Sequence, residues 1–140
     1  MDDTTNHTPN VWRSIGAVFA GIVFVILTHL GMDVLMHATG VFPPWGQPMS
    51  DALFLWVLIY RTGFSVAGAY VTARLAPHHP LQHALAGAAI GLLVSIAGTV
   101  ATWNRGPEFG PHWYPLALIA LTLPCAWLGG KLGGKHWRAN

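Results

Sequence analysis

Charge is scarce in this 140-residue chain, which sets seven Lys and Arg against five Asp and Glu. Soluble domains run at about 25% charged residues, so the 9% found here excludes an ordinary water-soluble domain. The formal charge of +2 is small, and no nucleic-acid partner is expected. Cysteine is nearly absent too. A single Cys125 cannot form an intramolecular disulfide, and the lack of a CxxC pair excludes membrane dithiol chemistry. Lying beside Pro124 in an apolar stretch, Cys125 reads as a small packing residue. No Ser/His/Asp triad, zinc signature or P-loop occurs. The sequence therefore assigns no catalytic residue, metal or cofactor.

What the chain has in quantity is hydrocarbon: 53% of its residues are hydrophobic. They gather into four long segments, roughly 11–38, 52–76, 81–103 and 113–132. A hydrocarbon core about 30 Å thick needs ~20 residues of helix to cross, and each segment reaches that length. The predicted fold is all-α: one transmembrane four-helix domain over 11–138, preceded by a disordered polar tail over 1–10. Short connections favour antiparallel neighbours and an up-down-up-down bundle. A cleaved signal peptide is the competing reading of the N-terminus. The first apolar stretch is too long for one, and Asp2 and Asp3 precede it.

The few charges are placed unevenly. Arg13, Arg74, Lys131, Lys135 and Arg138 fall on one side of the predicted spans, and Arg105 falls alone on the other. Cytoplasmic loops carry the Lys/Arg excess, so both termini are expected in the cytoplasm of an inner-membrane protein. Trp12, Trp45, Trp103, Trp113, Tyr114 and Trp137 fall near span ends, where amphipathic rings settle at the membrane interface. Three prolines interrupt the loop after span one, Asp51 after Ser50 is placed to cap span two, and Pro80 suits a first helical turn.

Arg61 is the residue hardest to reconcile with lipid. It sits near the middle of span two, where an unpaired charge costs ~3 kcal/mol or more. On span one, His29, Asp33 and His37 recur every four residues along one stripe. Side chains lean toward their helix N-terminus, so in antiparallel helices Arg61 and Asp33 lean toward each other. Tyr60, His29 and His37 are candidates to complete this polar cluster. A structural ion pair is the first expectation. A proton or ion pathway, and metal or haem ligation by the histidine stripe, are the alternatives.

Other features read as structure first. Gly87, Gly91, Ser95 and Thr99 form a small-residue ridge on span three, suited to close helix packing within the bundle or to an oligomer seam. Gly63, Ala67 and Ala69 on span two offer a matching ridge. His78, His79 and His83 read as interfacial residues before metal ligands. Asn104, Arg105, Glu108 and His112 read as a solvated loop before a vestibule shared with Asp33 and His37. Pro124 frees the carbonyl of Ala120 and predicts a bend in span four.

Tyr60-Arg61, the run Gly68–Pro77, His83-Ala-Leu, Trp113–Leu118 and Pro124–Gly130 resemble small four-span bacterial inner-membrane proteins of no assigned activity. That resemblance implies the membrane class and a bacterial origin, and it carries over no functional residues. Small multidrug transporters differ, since their signature is a glutamate in the first span. Fluoride channels differ in their balanced loop charges. The expected function is a non-enzymatic accessory or structural membrane subunit, or a homo-oligomeric component, in contact with lipid and with other membrane chains or itself. A small transporter or channel using the Asp33, Arg61 and His29 site is second, and a haem or metal protein third.

Overall fold

The computed structural model describes residues 9–137. Its elements are α1 (Pro9–Ala38), α2 (Asp51–Leu75), α3 (Pro80–Thr102), a 3-10 turn (Pro107–Phe109) and α4 (Trp113–Trp137), with no strand among the described residues. All four long helices are long and apolar enough to cross a membrane. Most of the expected N-terminal tail, Arg138 and the Trp137 side chain lie outside the described residues, while Pro9 and Asn10 open α1.

Local chemistry sets the helix ends. Ser50, not Asp51, is the N-cap of α2: its hydroxyl accepts from the Leu53 amide at 3.4 Å, and Asp51 is the first helical residue. Pro80 opens α3 at a position where its missing N–H costs nothing. α4 continues past Leu132, where the apolar stretch ends, through Gly133 and Gly134 to Trp137. It is also unbroken at Pro124, which faces outward with Ala120.

α2 touches all three other helices and packs most closely on α4, which in turn packs on α3. The Pro77–Pro80 link is short, yet it does not make α2 and α3 the closest pair. α1 joins chiefly through α2 and meets α3 only lightly. Along α1 and α2 the contacts run in opposite sequence order: Gly21 meets Gly68 and Thr72, His29 meets Arg61, and Asp33 meets Tyr60.

Two glycine seams make these approaches possible, since a residue without a Cβ lets two helix backbones close on each other. At the α1–α2 crossing, a Cβ on Gly21 would overlap Thr72 Oγ1 and lie 2.8 Å from the Gly68 carbonyl oxygen. On α4, Gly129 and Gly133 face α2, while Gly130 and Gly134 face α3. Glycine costs a helix about 1 kcal/mol per residue relative to alanine. These four persist because the helix gains two backbone-close neighbours.

The ridge expected on α3 packs differently from that expectation. A Cβ on Gly91 would meet nothing within 4 Å, and one on Gly87 would meet only Val18 at 3.6 Å. Gly63 on α2 is likewise open; the residue that makes the seam is Gly68. Buried aromatics fill the end of the bundle near the α1–α2 loop, where Phe42, Phe54, Val57, Tyr60 and Tyr114 form one cluster. Tyr114 thus belongs to the core, against Phe54 at 5.1 Å between ring centroids, and not to an interface belt. Trp12, Trp45, Trp103 and Trp113 are exposed.

Substitution separates the seam from the open ridge. Gly129→Ala places a methyl 2.7 Å from Ala69 Cβ and 2.9 Å from the Tyr70 amide nitrogen, and it costs about 1–3 kcal/mol of stability. Gly91→Ala stabilises, by up to about 1 kcal/mol of helix propensity. Equilibrium unfolding in mixed micelles reads both; equal losses at the two positions contradict the packing described.

Candidate functional site

The polar cluster lies where α1 and α2 face each other near the middle of α2. Arg61 Nη2 donates to Asp33 Oδ2 at 2.5 Å, and the Tyr60 hydroxyl donates to Asp33 Oδ1. Both carboxylate oxygens therefore have a strong donor from α2. The Asp33 side chain keeps 13% of its exposure and that of Arg61 26%, so little solvent or lipid reaches the pair. Tyr114 packs with Tyr60 in the buried aromatic cluster, which brings α4 beside the site. Arg61 Nε is buried and has no hydrogen-bond partner among the described residues.

The two histidines of the stripe separate. His29 donates from Nε2 to the Arg61 carbonyl oxygen at 3.1 Å, so it meets α2 through the backbone and not through the carboxylate. His37 turns back on its own helix: Nδ1 donates to the Asp33 carbonyl oxygen at 2.8 Å. Its ring stacks on Trp45 with centroids 3.6 Å apart and meets the edge of Phe42 at 5.3 Å. His37 thus anchors the α1–α2 loop and leaves the ion pair to Asp33, Arg61 and Tyr60.

No group of three or more His, Cys, Asp or Glu able to hold a metal exists among the described residues. His78, His79 and His83 are ring neighbours, with His78 centred 5.4 Å from His79 and 5.1 Å from His83. Their polar bond is a local one, from His83 Nδ1 to the His79 carbonyl. The loop before α4 also closes on itself. His112 stacks on Trp103 at 4.1 Å and donates to its carbonyl, and Arg105 lies 6.0 Å from the Phe109 ring. These exposed side chains do not reach Asp33.

Residues of all four helices line a cavity of about 330 Å³ that was not expected from the sequence. His29 and Arg61 line one end, and Gly21, Gly68, Thr72 and Ala84 line the other. Gly87, Gly91 and Ser95 of the α3 ridge face into it, whereas Thr99 does not line it and bonds the Ser95 carbonyl. Cys125 is buried in the same wall. The signal in the sequence was the small-residue ridge on α3, which read as a packing seam.

Chemically, the cluster is a neutralised pair with a phenol. Removing one partner of such a pair costs about 3–5 kcal/mol, because it leaves the other charge uncompensated. Asp33→Ala is expected to lose that amount. Tyr60→Phe, which strips one donor and keeps the ion pair, loses about 1–3 kcal/mol. Unfolding titrations of the two variants check the order, and a larger loss for Tyr60→Phe contradicts it. No protein family, curated protein or solved structure matches this chain.

Proposed function

We propose that this protein is a non-enzymatic, four-span component of a bacterial inner membrane, working as a subunit beside other membrane chains or copies of itself. The observation that carries the reading is the saturation of Asp33, whose two oxygens are held by Arg61 and Tyr60 of the next helix. A carboxylate held in this way serves as a structural clamp. A residue that loads and unloads protons or ions needs a free face, and Asp33 has little. Support for a subunit role comes from α3, whose far half makes few contacts with its own chain: Leu93 and Val100 are 69% and 74% exposed.

The topology that goes with this role is an up-down-up-down bundle with both termini in the cytoplasm, on the strength of the Lys/Arg bias. Arg74, Lys131 and Lys135 are exposed at the ends of their helices, as interfacial charges must be. In a Cys125→Ala background, Glu108→Cys is labelled by a membrane-impermeant maleimide in intact spheroplasts. His78→Cys is labelled only after lysis. The reverse pattern sinks the orientation.

A transporter or channel is the second reading, favoured by the cavity that reaches His29 and Arg61. The double change Asp33→Asn with Arg61→Gln separates the two. A clamp predicts that the pair recovers much of the stability lost in either single variant, with the assembled particle unchanged in native mass measurement. A transporter predicts a folded double variant that has lost flux in proteoliposomes.

A further inference from the structure

Hydroxyl groups in membrane helices normally bond back to a carbonyl one turn earlier, which spares them an unpartnered existence in hydrocarbon. Thr28, Thr39, Thr99, Thr102 and Thr122 all do so. Thr62, Ser65, Thr72 and Ser95 do not: they make no side-chain hydrogen bond among the described residues, and all four line the cavity. His29 adds a ring nitrogen, Nδ1, left over after Nε2 has bonded the Arg61 carbonyl. The unused polar groups of the membrane interior are therefore gathered in one place.

The shape of the cavity narrows what it can take. Its lining on α2 runs from Arg61 to Thr72, about 16 Å of helix at 1.5 Å per residue. At about 330 Å³ the space is too small for the two chains of a phospholipid. Among the lining residues, Ile26 of α1 is 49% exposed, and Ile90 and Val94 of α3 are 48% and 67% exposed. The mouth is therefore the gap between α1 and α3, on the lipid-facing flank. Entry is from the bilayer, and most of the wall is apolar. Those features suit a lipophile better than an aqueous solute.

Charge and depth narrow it further. Asp33 already neutralises Arg61, so an anionic head would bring an uncompensated charge into the low-dielectric core. Arg61 lies within about 3 Å of the midpoint of α2 (Asp51–Leu75). The ester groups of bilayer phospholipids sit at the interface, well outside that level. We infer that the α1–α3 cleft is a lateral binding site for a neutral, single-chain lipophile carrying carbonyl or hydroxyl oxygens, the chemistry of an isoprenoid quinone or a long-chain ketone. Its carbonyl oxygens accept from the Thr62, Ser65 and Ser95 hydroxyls, a hydroxyl donates to His29 Nδ1, and its chain runs toward Gly21, Gly68 and Gly87.

The full chain in phospholipid nanodiscs is titrated with decylubiquinone, 2-tridecanone, palmitate and dodecane, and its thermal unfolding midpoint is followed. Decylubiquinone or 2-tridecanone raises the midpoint saturably, and whichever binds distinguishes the quinone ring from a simple ketone. Palmitate and dodecane leave it unchanged. Ser65→Ala with Ser95→Ala weakens the binding about tenfold. Gly91→Leu, whose side chain enters open space in the cleft, abolishes it while the unliganded midpoint stays at or above that of the parent. An equal response to dodecane, a preference for palmitate, no response to either carbonyl probe, or full binding by Gly91→Leu overturns the proposal.

Discussion

A guanidinium in the middle of a long apolar helix has to be neutralised, and in this protein that requirement ties α1 to α2. Arg61 finds Asp33, and Tyr60, one residue earlier on α2, takes the second carboxylate oxygen. With both oxygens held from α2, sliding either helix by a turn would strand a charge in hydrocarbon. The register so imposed also places Gly21 opposite Gly68 and Thr72, three turns away. Electrostatics and close packing thus agree on one alignment. That agreement is what lets a short bundle with few charges adopt a unique arrangement.

The rest of the packing follows from where glycine lies. α4 carries two glycine pairs on adjacent faces and can approach α2 and α3 at once. α3 is held at its beginning, where Ala84 is buried against Gly130, and loses contact farther along. The cavity is the consequence: α3 is buried only near its beginning, and the space beside its small residues stays unfilled. Small residues on α3 keep that space open because they have no side chain with which to fill it. The same residue type therefore closes one seam and opens a cleft, according to whether a partner helix faces it.

The polar groups divide between two tasks. Asp33, Arg61 and Tyr60 bond one another and leave Arg61 Nε without a hydrogen-bond partner among the described residues. Thr62, Ser65, Thr72 and Ser95 have no side-chain partner among the described residues and face the cavity. The proposed subunit role and the proposed lipophile fit this division: the ion pair orders the helices, and the cleft is the part left to receive a ligand. Neither property needs catalytic chemistry.

Segment length, the scarcity of charge and the isolation of Arg61 were legible along the chain, because each depends on hydrocarbon thickness or on the cost of a lone charge. Those quantities require no knowledge of neighbours. The lean of side chains toward helix N-termini was enough to nominate Asp33 over any other acid. What the one-dimensional pattern could not decide was which small-residue ridge meets a partner. Gly91 and Gly129 look alike in sequence, but one borders empty space and the other the backbone of α2. His29 and His37 likewise share a stripe, yet Trp45, brought back by the loop, captures His37. Packing partners and cavities are properties of pairs of helices, so only the tertiary structure decided them.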